Sequence, residues 1–547
     1  MSNRLLIVPA VVLVSCGALW IGQAPGRAQA PPAPLAGTTG RFQTSNECLA
    51  CHNGLTTPAG EDVSIGVSWR SSIMANAGRD PYWMASVRRE TLDHPSRQAD
   101  IEDECSICHM PMARAAAVAA GGRGRIFEHL PVGSRTGELD HLAADGVSCT
   151  LCHQIGPDRL GTPQSFTGGF VLAAPDGGER HLLGPFDVKT GHSAVMRSAT
   201  GFRPSKADHV RESELCATCH TLITEAFGAA GEVIGRLPEQ VPYQEWQHSA
   251  LREQRSCQSC HMPAVEQPTA ITSVFGEPRE GLGRHTFIGG NFFMLRLLNR
   301  HRSDLAVQAL PQELEASARA TVRQLQTDTA TVTVERVERS GDRLALDVQV
   351  TNKTGHKFPT GYPARRAWLH VTVRDRDGRA VFESGAAASS GAISGNGSDA
   401  DAAMFEPHYD VIRSADQVQV YESVMGDVQG RPTTGLLSAV RYLKDNRLLP
   451  RGFDKATASD DIAVRGEAAG DANFTGDGDR VRYEIAVGTA GGPFDVQIEL
   501  LYQPIAFRWA QNLTRYDAPE AKRFVSYYNG AAPASSVVVA HDAARVD

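Results

Sequence analysis

The chain has 547 residues, 41% hydrophobic and 21% charged, which is enough to bury more than one core and excludes both a disordered polymer and a small disulfide-stapled scaffold. Its formal charge of −8 argues against nucleic acid as a partner and is compatible with a basic protein partner or an ordinary solvated surface. Ten of its eleven cysteines fall into pairs of one spacing, so no thiol pair remains for a structural disulfide.

Residues 1–30 read as an export signal. Arg4 supplies the positive end, Leu5 to Ile21 the apolar stretch, and Ala28-Gln29-Ala30 a small-residue cleavage site before Pro31. Removing this segment, which carries Arg4 and Arg27 and no acid, takes the charge from −8 to −10. Export would place the mature chain in the periplasm or outside the cell. A retained membrane anchor is disfavoured by the cleavage site and by Pro9 and Gly17 within the run. A third reading makes Leu13-Val14-Ser15-Cys16 a lipidation box with Cys16 acylated; simple cleavage is preferred because the apolar run continues through Ala18-Leu19-Trp20-Ile21. No later segment is long and apolar enough to span a bilayer, which leaves room only for peripheral membrane association. Residues 31–42 have the composition of a flexible tether.

Residues 43–300 carry Cys-x-x-Cys-His five times: Cys48, Cys51, His52; Cys105, Cys108, His109; Cys149, Cys152, His153; Cys216, Cys219, His220; and Cys257, Cys260, His261. Two thiols at this spacing can each form a thioether to a vinyl group on a haem edge, and the next His then reaches the iron as proximal ligand. One copy alone would also suit zinc or thiol redox chemistry. Five copies, each followed by His, predict five covalent c-type haems. Successive motifs begin 57, 44, 67 and 41 residues apart, too irregular for a solenoid. Gly and Pro are frequent between them, so this region is expected to be helical and loop-rich, with the macrocycles as its apolar core.

A linking helix follows within residues 301–326, opened by Pro311-Gln312-Glu313, with Leu314, Ala318, Val322 and Leu325 on one face. From Thr331 the period changes to two: Val332 and Val334, then Leu344, Leu346, Val348 and Val350, then Trp368 to Val373, with Asp375-Arg376-Asp377-Gly378 as a turn before Val381-Phe382. Val481 to Ile485 and Phe494 to Leu501 read as closing strands, and Leu436 to Leu443 as an inserted helix. Residues 327–505 thus predict a β-sandwich-like domain, and 506–547, with Trp509, Tyr516, Phe524, Tyr527 and Tyr528, a strap that packs back. The fold class is α+β multidomain. Asp471, Asn473, Thr475 and Gly476 match the start of a calcium loop, but Arg482 occupies the place of its bidentate Glu, so a polar turn is the better reading.

Each motif fills one axial position, and the residue on the other face decides between a closed electron-transfer iron and an open one. The candidates are Met74, His94, His129, His248, His285 and His356, with His141, His209 and Met196 weaker; Met110 and Met262, beside proximal ligands, read as packing residues. His94, His141, His209 and His248 each precede a motif by 7 to 11 residues, and reach a neighbouring haem more easily than their own.

Cys105-Ser106-Ile107-Cys108-His109-Met110-Pro111, Asp145-Gly146-Val147-Ser148-Cys149 and Gly355-His356-Lys357-Phe358-Pro359-Thr360-Gly361 resemble exported bacterial multihaem cytochromes c, of the group related to the tetrahaem electron carrier of ammonia oxidation. The resemblance implies mostly six-coordinate haems stacked in pairs, electron transfer with donor and acceptor redox proteins, and His356 as a haem ligand. Met74 stands where the group's Trp-x-x-Ser-x-His pattern has its His, which implies a His/Met haem. The second reading is a multihaem oxidoreductase with one open iron acting on a small nitrogen or sulfur compound; no motif selects it, since all five end in His.

Overall fold

The computed structural model describes residues 38–547; the export segment, Cys16 and most of the tether lie outside it. The motif-bearing region is built of short helices and loops together with three two-stranded sheets that the sequence did not announce, the longest pairing Leu222–Phe227 with Val233–Gln240. Its main helices are α1 (Pro81–Asp93), α2 (Gln98–His109), α3 (Thr190–Thr200) and α4 (Pro242–Gln247), followed by α5 (Pro311–Gln324) and, near the C-terminus, α6 (Pro519–Asn529). Asp80 starts α1 by accepting the Tyr82 and Trp83 backbone N–H groups, with Pro81 in the first turn. α5 occupies the predicted span and buries Leu314 and Ala318.

The β-region contains β1 (Ala330–Ser340), β2 (Arg343–Asn352), β3 (Arg366–Arg374), β4 (Ala380–Ser384), β5 (Val420–Gly426), β6 (Arg441–Asp445), β7 (Asp479–Ala486), β8 (Phe494–Gln503) and β9 (Val537–Val546). One sheet runs β5-β3-β8-β9, with β4 on β3 and β6 on β5; the other runs β7-β2-β1 and is extended beyond β7 by Val411–Ile412. Alternation sets the register: Val348 pairs with Val481 and Leu346 with Tyr483, while Ile498 pairs with Val371. Leu344, Leu346 and Val348 of one sheet and Leu369, Val371, Ile498 and Leu500 of the other join one apolar cluster, which also takes in Phe292, Phe293 and Leu314 from the motif side.

Two segments differ from expectation. Leu436 to Leu443 is not a helix: a 3-10 turn at Leu436–Ser438 leads into β6, whose residues Lys444 and Asp445 are anchored by buried ion pairs. Those tertiary partners override a weak helical pattern. The tail is more than a strap, because β9 pairs along β8 from Tyr502↔Val537 to Phe494↔Val546. α6 packs on α1 through the Arg88–Glu520 ion pair and the Tyr82–Phe524 ring contact.

Candidate functional site

The five motifs sit on short helical turns or, for the second, at the end of α2. Residues i and i+3 of a helix share a face, so each pair of thiols points the same way. All fifteen motif residues line one cavity of about 2030 Å³, several times the ~300–1,000 Å³ of an ordinary small-ligand pocket. Its wall is mostly apolar. Such a wall is suited to large apolar groups, and the thiol and imidazole donors fit haem.

The motifs are stitched together. Asp145, just before the third, accepts from the Ser45 backbone N–H and hydroxyl, each at 2.8 Å, just before the first. Gly146 has φ +61°, and a Cβ there would lie 2.6 Å from the Met74 carbonyl, which explains the glycine in that stretch. The Cys48 and Cys149 thiols come within hydrogen-bonding reach, as do Cys108 with Cys219 and Cys216 with Cys257; each contact, together with burial, pushes the first thiol of the pair up. Cys152 lies near Cys219, and burial pushes it up to about 12. The fourth motif therefore meets the second and the fifth, and the first meets the third.

The proximal imidazoles are held in one tautomer. Nδ1 of His52, His109, His153 and His261 bonds the backbone carbonyls of Ile271 (2.6 Å), Ala77 (3.1 Å), Leu183 (2.6 Å) and Ile288 (2.5 Å). A proton fixed on Nδ1 leaves the Nε2 lone pair facing the cavity, the usual arrangement of a metal-ligating His. Burial lowers the pKa of His52 and His153, and that of His109 and His220 to about 4, which keeps these four rings neutral at pH 7. Trp83 of α1 stacks on His109 at 4.4 Å, fixing the ring plane.

Two non-motif histidines face proximal ones. His285 stands 6.3 Å from His153 between ring centres, with planes 23° apart, and His356 stands 6.3 Å from His261 at 15°. His153 with His285, and His261 with His356, would each be able to hold one iron as a pair of imidazole donors. Nδ1 of His285 and of His356 is also tied to a backbone carbonyl, Gly283 at 3.0 Å and Lys357 at 2.9 Å.

Met74, Met196 and Met262 line the cavity too. The other histidine candidates do not. His94 Nε2 meets the Ser438 hydroxyl at 3.2 Å, His129 Nδ1 pairs with Asp140 at 2.7 Å, and His248 Nε2 reaches the Asp454 carbonyl at 2.9 Å. His209 Nε2 holds the Ile155 carbonyl, and His141 is exposed. Their nearness in sequence to a motif did not bring them into the cavity wall.

Sequence reasoning passed over three features. His192 of α3 lines the cavity, four residues before Met196, and that i, i+4 spacing was the available signal. α5, expected only to link regions, lends the wall Glu313, Ser317 and Gln324. A buried charge cluster supports the His356 loop: Glu245 of α4 accepts from the Lys357 backbone N–H (3.1 Å) and the Thr360 hydroxyl (2.5 Å) and pairs with Arg447 at 2.9 Å. Lys357 Nζ and Arg447 both pair with Asp445 at 2.7 Å. Burial pushes the Asp445 carboxyl up, but Arg447 and Lys357 more than offset this and hold it at about 2.

Glu239, also in the wall, is pushed up to about 7, first by burial and then by Glu104 and Glu90, against a hydrogen bond from Thr224. A raised folded-state pKa means stability present below the unfolded value and lost as pH rises through about 7. E239Q is expected to melt with the parent at pH 4 and a few degrees above it at pH 8, checked by thermal scans at both pH values.

No protein-family model and no curated protein matches the chain. Among solved structures it is similar to a penta-haem cytochrome c552 from Thermochromatium tepidum, with TM-score 0.53 and 15% identity, over 92% of this chain and 99% of that one. At that identity the likeness is one of fold: the chain has the α+β architecture of a multihaem cytochrome c.

Proposed function

We propose that this chain is an exported electron carrier holding five c-type haems, one on each Cys-x-x-Cys-His set. The observation that carries the reading is the convergence of all five motifs on one apolar cavity, with thiols of neighbouring motifs in reach of one another. Bound haem supplies one-electron iron chemistry. The chain does the rest: thiols anchor the haem edges, His52, His109, His153, His220 and His261 coordinate, backbone carbonyls set the tautomer of all of them but His220, and the apolar wall excludes water. His285 and His356 are proposed as sixth ligands to the third and fifth motifs' irons, and Met74 as a thioether ligand. The narrower kinship with the tetrahaem carrier of ammonia oxidation rests on motif resemblance alone. Donor and acceptor redox proteins are the proposed partners.

Intact-mass measurement of protein matured with a haem-attachment system tests the haem content: five covalent haems are expected, and fewer would sink the reading. H356A is expected to convert one iron per chain from low to high spin in the oxidised spectrum, with added imidazole restoring it.

One observation favours an oxidoreductase in second place. Besides the proximal five, only His192, His285 and His356 among the described histidines line the cavity, so at least two irons need a methionine or stay open. Cyanide binding to the resting parent would support an open iron; an unaltered low-spin spectrum would exclude it.

A further inference from the structure

We propose that His192 is the sixth ligand of the iron carried by the first motif. The proposal rests on the haem reading given above and names a ligand that the motif pattern does not indicate.

α3 is tied at both ends to segments that adjoin the first motif. At its start, Lys189 pairs with Glu277 at 2.6 Å. Glu277 follows the loop whose Ile271 carbonyl holds His52 Nδ1 at 2.6 Å and whose Ser273 backbone N–H bonds the Cys51 carbonyl at 2.8 Å. At its end, the Thr200 carbonyl accepts from the Gln43 side chain at 3.0 Å, five positions before Cys48. Between these anchors His192, Val195, Met196 and Ala199 all line the cavity, a single helical face at i, i+3, i+4 and i+7.

Elimination removes two of the five irons, and the anchorage of α3 selects among the rest. His285 and His356 already face His153 and His261. His192 is the remaining non-motif histidine of the wall among the described residues, and neither of its ring nitrogens has a hydrogen-bond partner there. His52 is the proximal imidazole whose own loop is bound to α3. His192 is preferred to Met196 because it sits on the turn next to that loop. Coordination needs only the Nε2 lone pair of the neutral ring, with no bond broken in the chain.

The test uses the full, haem-loaded protein and its ligand spectra. H192A is expected to carry five haems by mass and to show one more high-spin iron per chain than the parent. Added imidazole should return that iron to low spin, and M196L should match the parent. H192M, whose thioether can replace the imidazole, should stay low spin, gain a long-wavelength sulfur-to-iron band, and titrate with one haem at higher potential; it also serves if H192A matures poorly. Unchanged spin states in H192A and no new sulfur band in H192M would overturn the proposal, as would M196L being the variant that turns high spin. A parent without covalent haem would instead overturn the haem reading.

Discussion

Removing the fourth motif, as in C216A/C219A, is expected to fragment the array rather than shorten it. That motif meets the second through Cys219 and Cys108 and the fifth through Cys216 and Cys257, and Cys152 of the third lies in electrostatic reach of Cys219. Tunnelling falls exponentially with distance, so losing the shared neighbour isolates the second and fifth haems and leaves the first and third as a pair. Electrons injected by pulse radiolysis should spread among the remaining haems slower by orders of magnitude than in the parent. C48A/C51A, which removes a terminal motif, should leave the spread among the other four nearly unchanged. Equal rates in the two variants would show that the thiol contacts do not describe the electron path.

The second large effect is expected at the buried charge cluster under the His356 loop. Glu245 and Lys357 are fully buried, and Asp445 and Arg447 nearly so. Deleting one member of a buried ion pair strands its partner in a medium of low polarity, at a cost of roughly 3–5 kcal/mol. E245A leaves Arg447 with Asp445 alone and removes the acceptor of the Lys357 backbone N–H and the Thr360 hydroxyl. Its denaturant midpoint should fall by that free energy, and the low-spin signal of the fifth motif's iron should become temperature-dependent as the loop loosens. E245Q keeps an oxygen acceptor without the charge and should lie between E245A and the parent. An E245A midpoint equal to the parent's would show that Asp445 alone carries the cluster.

Much of the architecture could be read from local pattern. The strands that alternate cleanly, β2 and β7, fall where Leu344 to Val350 and Val481 to Ile485 placed them, and α5 begins at Pro311 as its opening residues indicate. Leu436 to Leu443 misled because its apolar spacing is ambiguous, and the ion pairs of Lys444 and Asp445 come from residues distant in the chain. The tail's pairing with β8 was hidden for the same reason: a sequence shows that Val537 to Val539 suit a strand, but not which edge is open to them.

The site divides along the same line. Cys-x-x-Cys-His is a local device, since one helical turn sets both thiols on a face and the next residue under it, so the sequence by itself determined the five motifs. The rest of the cavity wall comes from elsewhere in the chain, and nearness in sequence is no guide to it. His94, His129 and His248, close to motifs, turn to other partners, whereas His356, 95 residues beyond His261, comes to face it. Only the tertiary structure decided that pairing, because it depends on Glu245, Asp445 and Arg447 meeting beneath the loop, and burying four charges together is a property of the packed fold.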